Sequence, residues 1–153
     1  MLEALENAKG EIKRSDHLIY VSLKYTRTVD VLKSIIKRLI NAFDYSLDCL
    51  LKFAQDQKQI KDLPKLPIAK VETVRSIFND PQLNELLDFY ILLRKLDKAD
   101  YESSQEYRRH VTMTAFVDDK KIEVTIDSIT EYFDRTKLLI ALVEKIVIGE
   151  EES

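Results

Sequence analysis

The chain has 153 residues, 45% hydrophobic and 33% charged, which suits one domain with its own core and a charged surface rather than a disordered chain. Two glycines and three prolines weigh against an all-β fold and against a glycine-rich phosphate loop. The net charge of -3 is uneven: residues 1–61 hold 11 Lys and Arg against 8 Asp and Glu, the remainder 13 against 19. That asymmetry hints at an interaction surface but falls short of a frankly basic nucleic-acid domain.

Leu2, Leu5, Ala8, Ile12, Leu18, Ile19, Val21, Leu23 and Tyr25 give residues 2–26 a helical pattern that Gly10 weakens. Thr26, Arg27 and Thr28 read either as a turn or as part of one long helix, since threonine both caps helices and is tolerated inside them. From Thr28, a candidate N-cap, the spacing of Val29, Leu32, Ile35, Ile36, Leu39, Ile40, Phe43, Leu47, Leu50 and Leu51 predicts a helix of more than six turns. Cys49 lies among leucines on this helix, so a buried, inert thiol is expected and a reducing compartment suits it. Pro64 and Pro67 end the run.

Ile68–Phe78 reads as a short helix, and Asn79-Asp80-Pro81 starts another that runs to about Ala99. The period then changes to two. Val111, Met113 and Ala115 alternate with His110, Thr112 and Thr114, and Ile122, Val124 and Ile126 alternate with Glu123 and Thr125. Asp118-Asp119-Lys120 joins them in a hairpin over about 109–127, whose free edge could take a partner strand. Without glycine, a tight two-residue loop is not strongly specified. Asp127 or Ser128 is expected to cap a final helix over about 128–148 with the stripe Ile129, Tyr132, Phe133, Thr136, Leu139, Ile140, Val143 and Ile146, ended by Gly149. The charged tail, 150–153, is expected to fray. The fold class is therefore mainly α: one domain over 1–153, a bundle of about four to five helices with one β-hairpin before the C-terminal helix. No apolar run reaches bilayer length, so no membrane partner and a cytoplasmic location are expected.

Catalytic chemistry finds no signature. A nucleophile elbow, a Walker A loop and a GxGxxG are missing, and His17 and His110 sit in no HxxxH or HExxH spacing, so no metal and no cofactor are expected. Asp44 and Asp48 share a helix face but lack the Glu-x-x-His motifs of di-metal bundles, and pairing with Lys or Arg, or simple exposure, is expected of them. Two basic clusters remain. Lys13, His17, Tyr20, Lys24 and Arg27 fall on one face of an ideal helix, with Arg14 and Asp16 beside them, and such cations around an aromatic ring suit an anion or a nucleotide. Arg108, Arg109 and His110 follow Tyr107 at the entry to the hairpin and suit the same ligands, unless Glu102, Glu106, Asp118 and Asp119 neutralise them.

The segments RSDHLIYVSLKYTRTVDVLKSIIKRLINAFDYSLDCLL and LDFYILLRKLDKADYESSQEYRRHVTMTAFVDDKKIEVTIDSITEYFDRTKLLIALVEKI cover about two thirds of the chain, and their helical pattern resembles small archaeal HEPN-like proteins. Nucleases of that superfamily carry an Arg followed after about four to six residues by a His, usually acting across a dimer. Here Arg14 is too close to His17, and Arg108 and Arg109 adjoin His110, so no nuclease residue carries over. The resemblance implies a non-enzymatic module: a homodimer, a binder of nucleotide or nucleic acid, or the partner of a nucleotidyltransferase. The competing expectation is an RNA- or nucleotide-processing enzyme that uses His17 or His110 with the neighbouring arginines.

Overall fold

The structure, a computed structural model, describes residues 1–149; the tail expected to fray lies outside the described residues. Helix α1 (Leu2–His17) continues through a π-helical turn, Leu18–Ser22, into a last turn, Leu23–Tyr25. The chain then breaks and restarts as α2 (Val29–Asp56). The ambiguity at Thr26–Thr28 is thereby decided as a turn. Thr26 takes non-helical angles, and the Thr28 hydroxyl accepts a hydrogen bond from the Val31 N–H at 3.3 Å.

Helices α3 (Pro67–Phe78) and α4 (Pro81–Lys98) both begin with proline at their first position: this is the role the sequence predicts for Pro81, whereas Pro67, expected only to end the preceding run, also opens α3 one residue before Ile68. Between them Asn79 adopts the left-handed conformation and Asp80 caps α4, accepting from the Leu83 N–H at 2.8 Å. A three-stranded antiparallel sheet follows in the order β1 (Asp100–Ser104), β2 (Thr112–Val117), β3 (Lys120–Val124), and α5 (Ile126–Ile148) closes the bundle. The mainly α bundle with a hairpin before its last helix is therefore observed.

Three details depart from expectation. β1 is an extra strand: it pairs with β2 in the register Tyr101↔Ala115, so the outer edge of β2 is already occupied. The hairpin is shorter than 109–127 and turns tightly, with Val117 opposite Lys120 and both Asp118 and Asp119 at positive φ, which aspartate tolerates better than most residues. Finally, α5 starts earlier than 128, because Thr125 rather than Asp127 or Ser128 is its N-cap; Thr125 and Ser128 form a reciprocal capping box.

α2 is the spine of the molecule. It packs most extensively on α1 and also against α3, α4 and α5. Leu32, Ile35, Ile36, Leu39, Phe43, Leu47 and Leu50 are fully buried along it. Phe43 stacks on Tyr90 with ring centroids 5.3 Å apart and meets Phe89 edge-on at 5.9 Å, tying α2 to α4. Cys49 is buried as expected, and burial pushes its thiol above the ordinary value. Among the described residues no helix is long and apolar enough to cross a membrane.

Candidate nucleic-acid interface

The π-helical turn decides the fate of the first basic cluster. One extra residue in a helical turn rotates everything after it by roughly 100°. Lys24 therefore does not continue the face of Lys13 and His17, Tyr20 lies within the turn itself and Arg27 lies beyond the end of the helix, so the single stripe expected from an ideal helix is divided.

The first site is an open depression of about 320 Å³ lined by Lys13, Arg14, His17, Leu18 and Arg38. Arg38 comes from α2, and sequence reasoning missed it because nothing local relates it to α1. Glu11 holds the arginines in place. It is a buried carboxylate with one oxygen 3.6 Å from Arg14 Nη1 and the other 3.3 Å from Arg38 Nη1. The Arg14 guanidinium folds back over Gly10, to 3.3 Å from where a Cβ on residue 10 would stand. Lys13 and His17 have no ion-pair partner among the described residues.

The second site joins what the sequence kept apart. Tyr107 N–H donates to the Arg27 carbonyl at 2.6 Å, and the Glu106 carboxylate accepts from the Val29 N–H at 3.2 Å, at the start of α2. A carboxylate is favourable there because free N–H groups and the helix dipole present positive charge. These two bonds dock the loop 105–110 onto the turn 26–28. Arg108, Arg109 and His110 thus share one end of the molecule with Lys24 and Arg27. Arg108 N–H closes on Gln105 O and Val111 N–H on Arg108 O, both at 3.0 Å, which fixes the loop backbone while the three basic side chains stay exposed.

The expected neutralisation of this loop does not occur. Glu106 is committed to α2, Asp118 pairs with Lys95 at 2.7 Å, and no ion pair involves Arg108 or Arg109 among the described residues. Tyr25 and Tyr107 are the most exposed aromatic side chains, at 76% and 75%, and Tyr20 follows at 59%. Lys24 Nζ stands 5.9 Å from the centre of the Tyr25 ring. Arg27 is half-buried under the loop, and its Nε makes no hydrogen bond among the described residues. Accessible ring faces flanked by arginine and lysine are the elements of a stacking surface for bases with a charged track for phosphates.

Compared with protein-family models, curated proteins and solved structures, the chain matches none. The reading of the site therefore rests on its own geometry. No hydrogen bond or ion pair joins His17 to His110, and no group of three His, Cys, Asp or Glu side chains is placed to hold a metal ion, both among the described residues. Asp48 pairs with Lys70 at 2.8 Å and Asp44 lies 3.8 Å from Arg94, the pairing expected of these carboxylates.

Proposed function

We propose that this chain is a non-enzymatic module that binds single-stranded nucleic acid through the end built from Tyr25, Arg27, Tyr107, Arg108 and Arg109. The observation that carries the reading is the Tyr107–Arg27 hydrogen bond, which brings the basic loop and its exposed Tyr107 to Arg27, two residues from the exposed Tyr25. Glu106 is committed to the start of α2, and no ion pair involves Lys24, Arg27, Arg108 or Arg109 among the described residues, which leaves their positive charge uncompensated. Arg14, His17, Lys13 and Arg38 offer a second anion position along α1 for a strand that extends beyond the first. Binding is favoured over RNA or nucleotide processing because no contact brings the two histidines together.

The HEPN-like resemblance belongs to the same proposal, with its homodimer through an apolar helix face and a nucleotidyltransferase as partner. A single monomeric species in sedimentation would remove the homodimer and leave the binding surface untouched.

The test is fluorescence anisotropy with a labelled uridine-rich single-stranded RNA at several salt concentrations. Wild type is expected to bind with an affinity that falls as salt rises, because binding releases counterions. The double variant Arg108→Glu, Arg109→Glu should lose about tenfold or more, at roughly 1.4 kcal/mol per tenfold. Lys52→Glu, an exposed cation elsewhere on α2, should change little. Equal losses in both variants, or no binding by wild type, would refute the proposal.

A further inference from the structure

A groove of about 530 Å³ runs between the start of α3, the second half of α4 and the β2–β3 turn, and none of the basic-cluster residues lines it. Leu66, Ile68 and Phe116 line it and are 71%, 52% and 38% exposed, and Ile91 forms part of its floor. Large apolar side chains gathered along one groove and left in water mark a binding surface more often than scattered ones do. The volume lies in the range of small-molecule sites.

Charge pairing along the rim singles out one residue. Lys95 is matched by Asp118 at 2.7 Å, and Arg94 lies 3.8 Å from Asp44 and donates to the Tyr90 hydroxyl at 3.3 Å. A smaller polar pocket of about 230 Å³ adjoins the groove, sharing Arg94 and Lys98, and its Lys37 is matched by Asp97 at 3.3 Å. Lys98 alone among these cations has no ion-pair partner within the described residues. It stands where the apolar groove meets the polar pocket. The two cavities together therefore carry one uncompensated positive charge beside a continuous apolar wall.

We propose that this groove binds a single-chain amphiphile with one anionic head, an aliphatic carboxylate, its head on Lys98 and its tail along Leu66, Ile68, Ile91 and Phe116. One unpaired cation suits a monoanion. A strongly acidic peptide would leave most of its carboxylates unmatched on a rim whose other cations are already paired.

The experiment titrates decanoate, below its micelle concentration, into the isotope-labelled full chain and follows backbone amide shifts. Saturable shifts are expected at Leu66, 68–69, 91–99 and 116–118, with decyltrimethylammonium, which has the same tail and the opposite head, binding at least tenfold more weakly. Lys98→Glu should weaken decanoate about tenfold, and Ile68→Asp should do the same through the tail. Both side chains are exposed, and circular dichroism melting verifies that each variant is folded. Equal binding of the two amphiphiles, shifts confined to other surfaces, or the same shifts raised by an acidic amphipathic peptide but not by decanoate would each overturn the proposal. Loss of RNA binding by Arg108→Glu, Arg109→Glu leaves this result unaffected, so the two readings fail separately.

Discussion

Tyr107 shows at the scale of a single residue how conformational cost and candidate function coincide. Its φ is 64°, and Gln105 two residues earlier sits at 56°, both in the left-handed region that disfavours side chains with a Cβ. Strain of this kind persists where surrounding bonds over-determine the backbone, here Tyr107 N–H to Arg27 O and the Glu106 cap on α2. Tyr107→Gly is expected to stabilise the fold by about 0.5–1 kcal/mol in urea denaturation, because glycine relieves the strain, while weakening RNA binding through the lost ring. A variant that loses stability and binding together would mean that the ring is structural. Asp44 gives the pH dependence. Burial raises its pKa, outweighing the Tyr90 hydroxyl and the Arg94 charge, which lower it. A carboxyl whose folded pKa is raised holds its proton more tightly in the native state, so its contribution is fully present below the unfolded value and is lost as pH rises through the folded one. Asp44→Asn keeps an acceptor for Tyr90 without the charge. Its stability relative to wild type should therefore rise as pH increases across that window, measured by denaturant melts at acid and neutral pH.

Among the elements, α5 is the most directly testable. Thr125 Oγ1 accepts from the Ser128 N–H and Ser128 Oγ from the Thr125 N–H, each at 3.2 Å. Thr125→Ala should cost about 1 kcal/mol in urea denaturation, whereas Asp127→Ala should cost only the few tenths due to a charge near the helix dipole. Equal losses would return the cap to Asp127. β1 explains why one element escaped sequence reading altogether. All five of its residues are exposed, so no alternation of apolar and polar side chains betrays it. It exists because β2 offers backbone partners and because Lys33 of α2 stands 4.6 Å from the Tyr101 ring, a contact between residues 68 positions apart in chain order. The hairpin turn is a similar case: two aspartates take positive φ where glycine is the usual signal, held in part by the Asp118–Lys95 pair.

For the molecule as a whole, what the sequence by itself determined is the set of long helices, their buried faces and the chain order in which a hairpin precedes the last helix. These follow from side chains three, four or two residues apart, a local relation that any reader of the chain can see. Burial of Cys49 was legible for the same reason. Tertiary structure alone decided which basic residues act together. The π-helical turn moved Lys24 off the face of His17, the break at Thr26 put Arg27 outside the helix, packing of α2 on α1 brought Arg38 to Arg14 through Glu11, and the loop 105–110 docked on Arg27 from the far side of the chain. The groove beside Lys98 is likewise a product of three elements meeting. Arg14 and Arg38, like Arg27 and Tyr107, are far apart in the chain, and neither periodicity nor spacing encodes such a meeting; it is set by how the buried faces pack.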